Sequence, residues 1–251
     1  MNSSILKISN LKKDFGKGEI IFNEFDLTLQ KKNTAIFGPN GCGKTTLLRI
    51  ISGLDQSYTG NITFKDSPIK DNVGFGYAFQ NPYKFLFPWM TSFENIIFPL
   101  KIKSTDREIS QRLVTKLLTD FNLDIPLNSY PYQLSTGQCQ LLVFLRSIID
   151  SPDLLLLDEP FSNLDYLNRT RILFNLAARK NLPVTIFVSH TIDEAIIFAD
   201  ELIILGDKPA KIIGRVLIPF NRSKRNPELL SSLKFNEVKS SCIKLLKQYI
   251  I

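Results

Sequence analysis

The chain has 251 residues, 44% hydrophobic and 22% charged, which excludes a disordered or fibrous polymer and allows one large domain with a buried core. No apolar run reaches the roughly eighteen residues of a membrane span. The net charge of +7 comes entirely from residues 206–251, with ten basic side chains against Asp207, Glu228 and Glu237; residues 1–205 balance at 21 of each sign and present no broad electrostatic footprint for nucleic acid.

In chain order, the opening MNSSILKISNLKK lacks the apolar stretch and cleavage site of a secretory signal, so a cytosolic chain is expected unless a partner holds it at a membrane. Short strands are predicted at ILKIS, IIFNEFDLTL, TAIFG, NITFK and VGFGYAFQ, with turn residues between them. GFGYAF lacks the third glycine and the following helix of a dinucleotide fingerprint and is read as strand alone. From 92 to 149 the pattern turns helical. Over 106–121, Ile109, Leu113, Val114, Leu117, Leu118 and Phe121 recur at helical spacing on one face, with Ser104 or Asp106 as the cap. Pro126 and Pro131 interrupt before a further helix at 140–149. DLLLLD then reads as a buried strand, followed by a helix after Asp165, the strand VTIFVS, a helix at 192–199 and the strand ELIIL. Strands alternating with helices around apolar runs predict an α/β fold, a parallel sheet wrapped by helices with a helical insertion at 92–150. PFNRSKRNP (219–227) reads as a linker to a last helix, where Val238, Cys242, Leu245, Leu246 and Tyr249 form an apolar stripe. The basic surplus of this end is either a solvated face or a patch attracted to an anionic surface. Cys42, Cys139 and Cys242 lie far apart and the chain has one histidine, so reduced thiols and no structural zinc are expected.

Residues 38–46, GPNGCGKTT, follow the strand TAIFG and open the helix TTLLRIIS, the context that the phosphate-cradling pattern G-x-x-x-x-G-K-[ST] requires. Gly38, Gly41 and Gly43 permit tight turns that aim successive N–H groups at phosphate oxygens, and the helix N-terminus adds partial positive charge. Pro39, Asn40, Cys42 and Thr46 complete the loop. Lys44 reaches the outer phosphates and Thr45 offers its hydroxyl to Mg²⁺, so nucleoside triphosphate binding is implied. Cys42, inside the loop, marks it as open to block by oxidation or alkylation. Downstream, the apolar run 154–157 ends in Asp158-Glu159-Pro160. A carboxylate at that strand end suits Mg²⁺, and Glu159 has the chemistry to orient and deprotonate an attacking water. His190 and Gln80 end strands at the same sheet edge, His190 to sense the γ-phosphate and Gln80 to ligate Mg²⁺ or position water. LSTGQ, with Ser135, Gly137 and Gln138, opens a helix and makes a second anion site. One loop already serves one nucleotide, so this second site is best explained as completing the site of another subunit. Tyr83, Phe85, Phe87 and Trp89 follow Gln80 closely and are either core packing or an exposed docking patch.

Together these motifs resemble the ATP-binding-cassette (ABC) ATPases, in order and at family spacing over about 5–217. GPNGCGKTT resembles their Walker A motif, Gln80 their Q-loop, LSTGQ their signature, LLLLDEP their Walker B, SNLD (162–165) their D-loop and His190 their switch histidine. Phe15 stands where that family usually has an aromatic that stacks on adenine. GCGKTTLLRIISGL, FPWMTSFENIIFPL, SYPYQLSTGQ and ILGDKPAKIIG are similar to the ATPase subunits of nitrate, sulfonate and taurine importers, with the pyrimidine-precursor importers beside them. The resemblance implies a P-loop NTPase (RecA-like) core with an antiparallel β subdomain and an inserted α-helical subdomain over 1–218, and a basic linker and amphipathic helix over 219–251. It implies ATP and Mg²⁺, hydrolysis led by Glu159, and two ATPase subunits facing head to tail, each ATP between one Walker A and the opposite signature. It further implies transmembrane permease subunits docked near Gln80 at the cytoplasmic face of the membrane, fed indirectly by a periplasmic or extracellular solute-binding protein. The alternatives are a non-transport ABC clamp and a slow-turnover regulatory ATP-binding subunit. Two departures stand out: Thr136 where the family usually has Gly, and Cys139 and Leu141 where it commonly has Arg. They imply weaker closure and slower turnover.

Overall fold

The computed structural model describes residues 4–16, 18–70 and 73–250. Strands β1 (Leu6–Asp14) and β2 (Ile20–Leu29) pair antiparallel. β3 (Asn33–Phe37) runs into the glycine-rich loop and α1 (Lys44–Ile51). β4 (Thr59–Phe64) and the short β5 (Ser67–Pro68) return to β1, giving an antiparallel sheet of order β2-β1-β4-β5. β6 (Phe75–Ala78) leads into α2 (Ser92–Ile102), α3 (Arg107–Phe121) and α4 (Thr136–Ile148). Only then does the chain return as β7 (Leu154–Asp158), the parallel neighbour of β6, so the helices are an insertion within one crossover. α5 (Tyr166–Ala178), β8 (Val184–Ser189), α6 (Ile192–Phe198), β9 (Glu201–Leu205) and β10 (Ile212–Leu217) complete a second sheet of order β10-β9-β3-β8-β7-β6. It is parallel except for β10, which pairs antiparallel with β9 at the edge. α7 (Leu233–Ile250) closes the chain.

The leucines of β7 show why this sheet needs cover on both sides. Successive side chains point to opposite faces. Leu154 and Leu156 enter a core with α1 and the antiparallel sheet; Leu155 and Leu157 enter a second core with α2 to α7. All four are fully buried, which explains a run with no polar alternation. The inserted helices are fixed at their starts. Thr91 and Glu94 form a reciprocal cap on α2, and Asp106, not Ser104, accepts from Glu108 N at 2.7 Å to cap α3. Ser110, Val114, Leu117 and Phe121 of α3 point inward, and Ile109 is 51% exposed, off the face assigned to it from spacing.

The basic C-terminal region is fastened to the body. The guanidinium of Arg225, 6% exposed, donates to Ile196 O, Ile197 O and Phe220 O, capping the end of α6. Lys239 on α7 pairs with Asp193 in the first turn of α6 at 2.8 Å. Tyr249 and Leu245 press on Gly206 and Gly214, where a Cβ would fall 2.5 and 2.7 Å from them. Among the described residues no helix is long and apolar enough to cross a membrane.

Candidate functional site

Parallel pairing brings the strand ends that matter to one edge. Phe37 pairs with Ser189 and Ile204, Asp158 with Val188, and Ala78 with Leu157. Gly38, Gln80, Glu159 and His190 each follow one of these ends, at the carboxyl side of the sheet where α/β folds gather ligand groups.

The glycine-rich loop is built for close approach. Gly43 has φ +106 and a Cβ there would lie 2.8 Å from Ile21 Cγ2; one on Gly38 would lie 2.7 Å from Leu205 O. Lys44, 6% exposed, donates from Nζ to Gly38 O and Pro39 O, each at 2.8 Å, so its charge is held across the loop. Behind it the Thr45 hydroxyl donates to Asp158 Oδ1 at 3.1 Å. Burial pushes the Asp158 carboxyl up to about 6; the Thr45 hydrogen bond opposes that shift, and the neighbouring Glu159 charge adds to it. Glu159 adopts φ +47, a left-handed conformation rare for a residue with a side chain, with its N–H bonded to Val188 O at 3.0 Å. This turn aims the carboxylate at two groups: Oε2 accepts from Gln80 Nε2 at 3.0 Å and lies 3.0 Å from His190 Nδ1.

These residues line a cleft of about 490 Å³, with Asn40, Gly41, Gly43, Lys44, Thr45 and Thr46 on one wall and Gln80, Glu159 and His190 on another. Phe15, 56% exposed, stands at its mouth with Lys13 Nζ 5.0 Å from the ring centroid. Gly38, Pro39, Cys42 and Asp158 lie behind the lining rather than in it. Cys42 corrects an expectation. It is fully buried in the core under the loop and burial pushes its thiol up, so the loop is shielded from thiol chemistry.

Ser135, Gly137 and Gln138 are elsewhere. They line a second cleft, of about 840 Å³, with Asn163, Leu164 and Asp165. Ser135 caps α4: its Oγ accepts from Gln138 N at 3.2 Å while Gln138 Oε1 accepts from Ser135 N at 3.0 Å. Gly137 meets the SNLD turn, where a Cβ would sit 2.9 Å from Leu164 Cδ2. The aromatic run after Gln80 divides. Phe85 stacks on Phe79 and Phe87 packs on Phe98, whereas Tyr83 and Trp89 are 51% and 69% exposed.

Thr45 and Asp158 offer a hydroxyl and a carboxylate, with the Gln80 amide nearby. These are hard donors too few to enclose a metal, the set Mg²⁺ takes when waters and phosphate oxygens complete its shell. Among the described residues no three His, Cys, Asp or Glu side chains converge on a metal.

Three groups escaped the sequence reading. Gln140, 1% exposed, donates to Glu159 O and Ser162 Oγ at 3.1 Å and accepts from Asn163 N at 2.9 Å, tying α4 to both clefts. Its only signal is a polar residue in the apolar stretch CQLLVF. Glu194 bridges Ser189 Oγ at 2.6 Å and Arg169 Nε at 3.2 Å, fixing the turn that carries His190. Lys208, ion-paired to Glu19, lines the same cleft as Lys44 and Glu159.

A family model described as ABC transporter matches residues 22–162. The sulfate/thiosulfate import ATP-binding protein CysA of Mannheimia succiniciproducens is 38% identical over 233 residues, 86% of this chain; the chain spans 64% of that relative's length. The aliphatic sulfonates import ATP-binding protein SsuB of Bacillus licheniformis is 35% identical over 232 residues, 88% of this chain and 89% of the relative. Among solved structures, a dimeric bacterial ABC transporter cassette superposes with a TM-score of 0.76 at 25% identity, covering 86% of this chain and 99% of that one. A dimeric post-hydrolysis cassette bound to ADP and Pi superposes at 0.72, again at 25% identity, covering 82% and 98%.

Proposed function

The chain belongs to the ABC transporter family, and from that premise we propose that it hydrolyses ATP in a head-to-tail pair with a second ATPase subunit to drive import of a small solute through membrane-spanning permease partners. The observation that carries this reading is a divided catalytic set. Lys44, Thr45, Gln80, Glu159 and His190 belong to one cleft, and Ser135 and Gly137 to another that shares no residue with it. Each chain therefore holds two half-sites, and a two-fold pair is the closed arrangement in which both are completed.

The chemistry follows from the side chains. Lys44 exchanges its two carbonyl partners for phosphate oxygens, and the loop N–H groups share the remaining charge. Phe15 supplies a face for the base. Glu159, oriented by Gln80 and His190, takes a proton from the attacking water. His190 exchanges its contact with Glu159 for the γ-phosphate when nucleotide is bound, offering its one N–H there. The Ser135 cap uses its oxygen only as an acceptor, so its O–H remains to donate to a terminal phosphate held by the other subunit. Thr45 and Asp158, with Gln80 alongside, would hold Mg²⁺, which would neutralise charge on the phosphates. Attack of the water breaks the bond between the γ-phosphorus and the ADP oxygen, and departure of the phosphate removes the anion shared by the two subunits and lets them part.

In this reading residues 1–218 are the ATPase cassette, with 92–150 its helical insertion, and 219–251 a basic extension fastened by Arg225 and Lys239. Permease contact beside Tyr83 and Trp89 holds the subunit at the cytoplasmic face of the membrane. The solute is a small sulfonate- or sulfate-type oxyanion, a class supported by the names of two relatives. It is selected by the permease and an extracytoplasmic binding protein, not by this chain. The test is ATP hydrolysis by the chain purified from membranes with its co-expressed permease. Glu159→Gln is expected to lower turnover by about 10²–10⁴-fold while nucleotide still binds. Undiminished turnover in that variant overturns the reading.

A further inference from the structure

The segment that follows Gln80 lies along α4 and is fastened to it at two points. At the far end, Arg146 Nη2 donates to Phe85 O at 2.6 Å and its guanidinium lies 5.6 Å from the centre of the Phe87 ring. At the near end, Tyr83 Oη lies 3.1 Å from Thr136 Oγ1. Thr136 is the first residue of α4, next to the Ser135 cap. Gly137 packs against Leu164 and Asn163 O, where a Cβ would fall 2.9 and 3.2 Å from them and require the neighbours to shift. Thr136 is exposed, and its hydroxyl turns to Tyr83. Cys139, one turn on, is fully buried; its Sγ donates to Pro131 O at 3.3 Å and lies close enough to Tyr83 to interact with it, so the phenol meets α4 at both Thr136 and Cys139.

Gln80 itself is bonded to Glu159. A continuous path therefore runs from the water-activating carboxylate through Gln80 and the turn at Pro82–Lys84 to Tyr83, Thr136 and Ser135. Its two ends belong to the two half-sites of one chain. We propose that the Tyr83–Thr136 hydrogen bond is a positioning link that sets the Ser135 turn according to the state of Gln80, making closure onto a second subunit depend on this subunit's own nucleotide. The proposal rests on the two-subunit reading above. It assigns Thr136 a use for its hydroxyl, where the departure from glycine taken from the sequence alone implies only weaker closure.

Four full-length chains carrying Glu159→Gln separate these ideas: Tyr83→Phe, Thr136→Val, both together, and Thr136→Ser. ATP-dependent pairing is read by sedimentation, and binding of a fluorescent ATP analogue to the single chain is read in parallel. Removing either hydroxyl is expected to raise the ATP concentration for half-maximal pairing by about threefold to tenfold, the worth of one hydrogen bond. The double variant shifts no further than either single one, as a shared interaction requires. Thr136→Ser stays within about twofold of its parent, and binding of the analogue is unchanged throughout. Additive shifts from the two single variants overturn the link. So does tighter pairing in Thr136→Ser with no effect of Tyr83→Phe, which assigns the effect to the methyl group. If Glu159→Gln alone forms no ATP-dependent pair, the two-subunit reading falls and the link falls with it, an outcome distinct from the other two.

Discussion

Asp158→Asn is expected to make the nucleotide-free protein more stable, by an amount that grows with pH. The carboxyl is 2% exposed and burial pushes its pKa up to about 6 in the folded chain, from an ordinary carboxylate value of 3.8. A raised carboxylate pKa means that the folded state holds the proton more tightly than the unfolded state. Between the two values the folded chain therefore binds more protons, and stability falls as pH rises. About two units at 1.36 kcal/mol each give a penalty near 3 kcal/mol, complete above about pH 7 and roughly half developed at pH 5. Asparagine removes the titration and keeps an oxygen to accept the Thr45 hydroxyl. Urea unfolding of both proteins in chelator at pH 5 and pH 8 measures the difference. The variant should gain about 3 kcal/mol at pH 8 and about half that at pH 5, and lose Mg²⁺-dependent turnover. Equal stability of the two proteins at pH 8, or an advantage that shrinks as pH rises, refutes the argument.

Arg225→Met leaves three carbonyls without their cationic donor, two of them at the end of α6. It should cost about 3 kcal/mol and lower Tm by about 6–12 °C in a thermal melt; a change under about 2 °C would show the cap to be idle. Gln140→Leu empties the buried bonds to Glu159 O, Ser162 and Asn163, and should lower kcat about tenfold with KM for ATP within about twofold, measured by phosphate release. The three cysteines are fully buried, so native protein should resist thiol reagents and keep nucleotide binding until it unfolds; rapid labelling of Cys42 with loss of binding would contradict its burial.

How much could be read before the structure depended on where each signal resides. The strand–loop–helix around residues 38–46 was legible because its glycine spacing marks the turn, and the leucine run of β7 because a strand buried on both faces reads as a continuous apolar run. β10 was not assigned as a strand: its sequence IIGRVL carries a glycine and a charge, and an edge strand with exposed positions lacks the signature of a buried one. Arg225 lies in a stretch that reads as polar linker, yet it caps α6 from 28 residues away, and nothing local in a sequence records a tertiary cap. The same is true of Gln140 and of Tyr83, whose partners lie 19 to 23 and 53 residues distant. Ile109 lies at the margin of the face that spacing defines: Ser110, Val114, Leu117 and Phe121 point inward, and Ile109, in the first turn of α3, is left exposed beside them.

A structure of the Glu159→Gln protein with ATP addresses the shared site most directly. Each nucleotide should be held by Lys44 and Thr45 of one protomer, with the partner's Ser135 and the partner's Gly137 within hydrogen-bond reach of its γ-phosphate. A nucleotide contacted by one chain only, with Ser135 turned away from every phosphate, would contradict the account.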